Sequence, residues 1–301
     1  MANPSAQRDQ GIATPILRPT APPALIIDPL LEAWLKEDIG RGDRTTDALC
    51  SAGAAQGRAQ WICKEAGVVA GLAIAPRVFQ ILDPEVAFEP LVDEGAQCEA
   101  GRPIAELSGP AAALLTGERV ALNLAMRLCG IATVTRQYVE AIADLPAQIV
   151  DTRKTTPGLR LLEKYATQVG GAQNHRMGLD DSVMIKDNHI AAAGGIAQAI
   201  ERIRRRIPYP LAIEVETESL AQVKDALASK ADIIMLDNMA PALMAEAVQM
   251  IRAASDRVKI EASGNVTLGT IRAVAETGVD YISTSAPITR SRWLDLSMRM
   301  T

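Results

Sequence analysis

The stretch LAIEVETESLAQVKDALASKADIIMLDN, residues 211–238, holds one full repeat of the pattern that decides the fold. Two short apolar runs, LAIEV and ADIIML, flank a helix-like segment, ESLAQVKDALAS, and each run ends in acidic or amide residues. A strand, a crossover helix and a second strand of this kind make a parallel βαβ unit. Outward from it the rhythm continues, with apolar runs at AQIV (147–150), SVMI (182–185), VKIEA (258–262) and VDYIS (279–283). Helix-like stretches follow at APALMAEAVQMIRAAS (240–255) and TLGTIRAVAETG (267–278). That is about six βα repeats. An open doubly wound sheet shares this alternation, but no GxGxxG follows any of the runs, so a parallel α/β barrel is expected.

The 301 residues suffice for one large or two ordinary domains with a sizeable core. Hydrophobic residues make up 48% and aromatic residues only 3%, so Ala, Leu, Ile and Val must build that core, as helices packed on parallel strands do. The net charge of -5 argues against bulk nucleic-acid binding, which needs a broad basic surface. No run of apolar residues is long enough to span a membrane, and the N-terminus lacks a signal-peptide pattern, so a cytoplasmic protein is expected. The four cysteines, Cys50, Cys63, Cys98 and Cys129, are widely spaced, with no CxxC, and read as reduced thiols.

Residues 1–22, punctuated by proline, read as a loose tail. Residues 23–128 mix a short helix, DPLLEAWLKED, with strand-like pieces separated by glycine and acidic turns, as in an antiparallel sheet. Residues 116–142 form a helix with Thr116 as its N-cap, apolar nearly all round and therefore buried; Gly130 is a place where it could divide. Arg119 near its start would then need an anion: an internal carboxylate, a partner chain's group or a ligand.

In a parallel barrel the residues just past each strand line one mouth, where chemistry takes place. Those positions are DTRKT (151–155), KDNH (186–189), EVE (214–216), LDN (236–238), EASGN (261–265) and STSA (283–286). Lys154 could face the barrel axis while Arg153 leans over the rim, or the two form an ordinary surface pair. His175 and Arg176 follow a VGG bend that can carry them over the mouth; a satisfied loop histidine is the plainer alternative. Glu216 and Asp237 offer hard oxygens for Mg²⁺ or ribose hydroxyls, or they pair with Lys186 as structural salt bridges. Ser263, Gly264 and Asn265 precede a helix and present N–H groups of the kind that cradle phosphate.

DTRKTTPGLR (151–160), GGAQNHRMGLDDSVMIKDNHI (170–190), EVE, LDN, ASGN, GERVALN (117–123) and EDIGRGDRTTD (37–47) together resemble the quinolinate phosphoribosyltransferase family. The resemblance runs from residue 37 to about 285. It implies an N-terminal α/β sandwich domain over residues 23–128, an incomplete parallel α/β barrel over 129–290, and a 291–301 segment that returns to the first domain. It implies that quinolinate is held by Arg153, His175, Arg176 and Lys186, with Arg119 supplied by a neighbouring subunit of a homodimer or larger homo-oligomer. Lys154 would bind phosphoribosyl pyrophosphate, Glu216 and Asp237 the ribose and Mg²⁺, and Ser263, Gly264 and Asn265 the phosphate. Lys154, Lys186, Glu216 and Asp237 are the expected catalytic set. Where many relatives have ISxG, this chain has ISTS, which sets Ser285 at the usual glycine and expects its hydroxyl to replace a backbone contact. Two other enzyme readings share the barrel: a ModD-like homologue and an aldolase forming a Schiff base on Lys154 or Lys186. A metabolite-binding protein without turnover is the non-enzymatic alternative.

Overall fold

The computed structural model describes residues 19–50 and 55–301. The expected tail falls mostly on residues 1–18, outside the described residues.

The N-terminal part opens with α1 (Ala24–Ile39) and α2 (Arg44–Leu49). Asp43 starts α2 by accepting the Thr46 N–H at 2.9 Å, satisfying one of the donors a helix start leaves free. Next come β1 (Gln56–Cys63), β2 (Gly67–Val68), α3 (Ala75–Leu82), β3 (Ala87–Pro90), β4 (Gln97–Cys98) and β5 (Pro103–Pro110). Burial alternates along β1, so Ala59, Trp61 and Cys63 face the core. There the Trp61 ring meets Phe88 edge-on at 5.3 Å and Phe79 at 6.3 Å, which gathers both phenylalanines of the chain against one tryptophan.

A 30-residue helix, α4 (Ala111–Glu140), leads from this layer into the second. It corrects two expectations. The helix begins after Pro110, so Thr116 lies inside it and its hydroxyl donates to Asp43 at 3.1 Å instead of capping. Gly130 does not divide the helix; it lets another segment approach. A Cβ there would lie 1.9 Å from the carbonyl oxygen of Arg292. Burial on several faces, at Leu114, Ala121, Leu128 and Ile131, keeps the helix continuous through the glycine.

The second part contains β6 (Gln148–Val150), α5 (Arg160–Val169), β7 (Val183–Ile185), α6 (Asp187–Ala193), α7 (Ile196–Arg204) and β8 (Ile213–Thr217). It continues through α8 (Leu220–Ala228), β9 (Ile233–Asp237), α9 (Pro241–Ala254), β10 (Lys259–Ser263), α10 (Ile271–Ala275), β11 (Tyr281–Ser283) and α11 (Ala286–Thr289). Its strands are parallel in the order β6-β11-β10-β9-β8-β7, so the first strand sits beside the last. Beside β6 the stretch around Gln173 adds an isolated parallel bridge to Val150: its N–H bonds Ile149 O at 2.9 Å and its carbonyl accepts Asp151 N–H at 3.2 Å. This is an incomplete six-stranded barrel, as the repeat count predicted. Finally β12 (Leu296–Met300) returns to pair antiparallel with β1, giving the sheet order β12-β1-β5-β3.

Candidate active site

Strand pleating sends every second residue to the barrel axis. The pairs Met184 and Lys186, Met235 and Asp237, and Glu261 and Ser263 accordingly line one cavity of about 530 Å³ at the C-terminal ends of the strands. Arg153, Lys154, His175, Arg176, Lys186, Glu216, Asp237, Ser263, Gly264 and Asn265 all face it. Ten of the twelve expected site positions are therefore gathered in one place. Arg119 and Ser285 are not.

The late-strand loops are built against each other. Asn238 and Asn265 adopt φ of 52° and 49°, and Gly264 φ of 101°. The Asn238 N–H donates to Ser263 O at 2.9 Å, and the Asn265 side-chain amide donates to Asn238 Oδ1 at 3.2 Å. Left-handed backbone at adjacent non-glycine sites is uncommon and is sustained by the surrounding contacts. Across the mouth the Lys186 ammonium donates to Glu216 at 2.5 Å, so the salt-bridge alternative for this pair is met while both stay at the cavity wall.

The early-strand cations are less compensated. Among the described residues neither Arg153 nor Arg176 forms an ion pair, and the buried Nε of Arg153 has no partner. Arg176 gives one N–H to Ser182 O at 3.0 Å. Burial, and then the neighbouring Arg153 charge, push the Arg176 pKa down, and the Glu214 charge offsets only part of this: two guanidinium groups share a partly dry corner. Such a corner is favourable only when an anion fills it.

Beneath it lies a cluster that the sequence reading did not assign. His175 Nε2 is 3.1 Å from Glu214 and 3.4 Å from Glu261, and both carboxylates are almost wholly buried. Nδ1 accepts the Arg176 N–H at 2.7 Å, so the imidazole proton sits on Nε2, facing the carboxylates. Burial works against the imidazolium, but the Glu214 and then the Glu261 contacts outweigh it and turn the His175 pKa upward. Nδ1 is thus hydrogen-bonded inside the protein, whereas Nε2 makes charge contacts only, with Glu214 oxygens that lack a hydrogen-bond partner. His175 also lines the cavity. His189 is structural: its Nδ1 accepts the Lys186 N–H at 3.0 Å.

His175, Glu214 and Glu261 are also the group of described residues with the spacing to hold a divalent ion. One nitrogen and two carboxylates suit a transition metal better than Mg²⁺, which takes oxygen ligands and keeps several waters. Glu216 and Asp237 line the cavity separately from this cluster.

Arg119 is exposed and lines a separate cavity of about 810 Å³, with Trp34, Glu37, Asp38, Arg127 and Trp293. The burial that made its charge seem costly is absent, because Arg119 lies on the exposed side of α4 while its neighbours Gly117 and Val120 are buried. Ser285 sits at the start of α11, and Ser283 lines the cavity in its stead. Asp151, Thr152 and Asn238 also line the cavity. Their positions at strand ends were legible, but nothing in their spacing distinguished support from contact.

A parallel barrel whose mouth joins unpaired cations to carboxylates and a left-handed Gly–Asn loop defines an enzyme for polyanionic small molecules, attached here to an antiparallel sheet domain. The family model for the quinolinate phosphoribosyl transferase C-terminal domain matches residues 131–299, and that for the N-terminal domain matches residues 43–129. The chain belongs to the quinolinate phosphoribosyltransferase family. It is 60% identical to a probable nicotinate-nucleotide pyrophosphorylase (carboxylating) of Synechocystis over 93% of this chain and 94% of the relative. A similarly named Bacillus subtilis protein is 45% identical over 90% and 92%. The crystal structure of NadC from Streptococcus pyogenes superposes with a TM-score of 0.88 at 42% identity, covering 94% of this chain and 99% of that one.

Proposed function

We propose that this chain transfers the phosphoribosyl group of phosphoribosyl pyrophosphate to quinolinate, releasing pyrophosphate and CO2 and forming nicotinate mononucleotide. The observation that carries this reading is the Arg153–Arg176 corner, two guanidinium groups without an ion-pair partner in the cavity that Gly264 also lines. A ring with two adjacent carboxylates supplies the missing charge, since each planar carboxylate can take a guanidinium fork.

In this reading Arg153 and Arg176 hold the dicarboxylate, and Lys186 reaches it from the end of β7. His175 keeps Arg176 in place through its Nδ1 bond. Lys154 meets the pyrophosphate and stabilises negative charge on the departing oxygens. Ser263, Gly264 and Asn265 receive the 5′-phosphate, with Ser283 beside them. Glu216 and Asp237 hold the ribose hydroxyls and favour the positive charge that builds on the sugar ring as its C1–oxygen bond breaks. Mg²⁺, when bound at Glu216 and Asp237, neutralises the pyrophosphate. The pyridine nitrogen, held in line by its carboxylates, bonds to C1, and the ring becomes a pyridinium. That electron-poor ring accepts the electron pair left at C2 when the neighbouring carboxylate departs as CO2, and a proton then replaces it. No protein nucleophile takes part. Lys186 is tied to Glu216, which argues against a Schiff-base role for it.

Incubation with quinolinate, phosphoribosyl pyrophosphate and Mg²⁺ tests the proposal: nicotinate mononucleotide, pyrophosphate and CO2 should form in equal amounts. Nicotinate, which lacks the 2-carboxylate, should be used about 10⁴-fold less efficiently, because cations built for that group stay unpaired. Equal turnover of the two acids would reject the assignment.

A further inference from the structure

Helix α5 carries two adjacent charged residues, Glu163 and Lys164, that are both 0% exposed. Buried ion pairs are poor stabilisers of a fold, because desolvation offsets their attraction; what they can fix is one conformation. Successive residues on a helix point about 100° apart, so the two side chains reach different targets. Those targets are the two ends of one loop. Lys164 donates to Asp151 Oδ1, at the loop's start. Glu163 accepts from the Thr156 N–H at 2.8 Å and the Thr156 hydroxyl at 2.8 Å, at its end. Between these anchors lie Arg153 and Lys154.

Each anchor is tied further. Asp151 also accepts from Thr167 at 2.9 Å, Asn174 at 2.7 Å and the His175 N–H at 2.9 Å, so one carboxylate with its acceptor sites filled fixes both cation-bearing segments of the mouth. Glu163 also accepts from Arg127 of α4 at 2.7 and 3.1 Å. Arg127 in turn donates to Ile288 O at 2.8 Å and Ser291 Oγ at 2.9 Å. The loop itself has little to hold it: the Lys154 N–H on Thr152 at 3.1 Å, the Thr155 N–H on Arg153 O at 3.0 Å, and the Thr155 hydroxyl, which accepts from Arg160 at 3.1 Å.

We infer that Glu163 and Lys164 are positioning residues that set the pose in which Arg153 and Lys154 meet substrate, with Thr156 as the contact through which Glu163 acts. The inference rests on the role proposed above for that loop. An ångström of misplacement at such a site costs on the order of 100-fold in rate, so the clamp matters to catalysis more than to folding.

Thr156 is exposed, and Thr156→Val removes one bond to Glu163 while keeping the backbone N–H bond and the two from Arg127. The test is steady-state kinetics and thermal melting of the full chain with Thr156→Val, Thr156→Ser, Glu163→Gln and Lys154→Ala. Thr156→Val should raise KM for quinolinate and phosphoribosyl pyrophosphate about 5- to 20-fold with a smaller fall in kcat, and with little change in melting temperature. Thr156→Ser, which keeps the hydroxyl, should stay within about 2-fold of the parent. Glu163→Gln should lose more, roughly 50-fold in kcat/KM; if it does not fold, Thr156→Val and Thr156→Ser decide alone. Parent-like KM values in Thr156→Val, or equal losses in the Val and Ser variants, alongside a crippled Lys154→Ala, would overturn the clamp while leaving the loop's role intact. A fully active Lys154→Ala would instead overturn the role of the loop, and the clamp with it.

Discussion

At Gly264 the two late-strand loops touch so closely that a side chain has no room. Its φ of 101° is one that L-residues with a Cβ rarely adopt, and a Cβ would lie 2.2 Å from Asn238 Oδ1 and 2.9 Å from Asn238 N. Gly264→Ala should therefore cost about 1–3 kcal/mol of local strain. The structure would relieve that strain by moving the Asn238 and Asn265 loops apart. Those loops form a wall of the cavity, so KM for phosphoribosyl pyrophosphate should rise about tenfold or more, with a melting temperature lower by only a few degrees. Steady-state kinetics at fixed quinolinate would read the first and calorimetry the second. The sequence SGN ahead of a helix suggested a phosphate cradle, but the close approach of Asn238 that requires glycine comes from a different strand end and was not legible. Nor was the role of His175. A histidine preceding an arginine looks the same in sequence whether it meets ligand or two buried glutamates, and Glu214 and Glu261 are brought to it from β8 and β10.

Among the elements, α4 shows how far helical pattern can be trusted. A stretch apolar nearly all round implied burial, and burial is what the structure has, but the same breadth hid where the helix begins. Without a polar face there is no phase to follow, so Thr116 attracted the start that belongs after Pro110. Gly130 was ambiguous for a related reason: a glycine in a helix marks either a break or a close neighbour. Here the neighbour is the Arg292 backbone, in the segment that carries β12 back to β1. Gly130→Ala should lower stability by about 1–3 kcal/mol, because backbone cannot yield as a flexible side chain does. Denaturant unfolding would measure that loss, while kcat of the folded fraction stays within about 2-fold, since Gly130 lies away from the mouth. On α5 the sequence RLLEKYATQV reads as an ordinary amphipathic helix. Its Glu–Lys pair would be taken for a solvated face, and only the packing of α4 and the DTRKTT loop around it reveals two buried charges.

For the whole molecule, the informative feature is that two cavities divide the expected site. Ten positions share the barrel mouth, whereas Arg119 opens into the other cavity with Arg127 and residues 156–159, beside Trp293, which is 51% exposed. An exposed arginine and tryptophan in a groove suit contact with another chain, since both residue types are enriched at interfaces. If Arg119 completes the mouth of a neighbouring subunit, each site of a homodimer draws on both chains. Arg119→Ala alone should then lower kcat/KM for quinolinate about 10- to 100-fold, the scale of one charge-assisted contact. Mixing it with Lys154→Ala makes a stricter test. In a mixed dimer one site carries both substitutions and the other carries neither, so the intact site works at full rate. Random exchange between equal amounts of the two variants makes half the dimers mixed, and activity should return to about a quarter of the parent value. Partners that each supply a whole site would show no recovery once exchange is verified, because no mixture of defective sites yields an intact one.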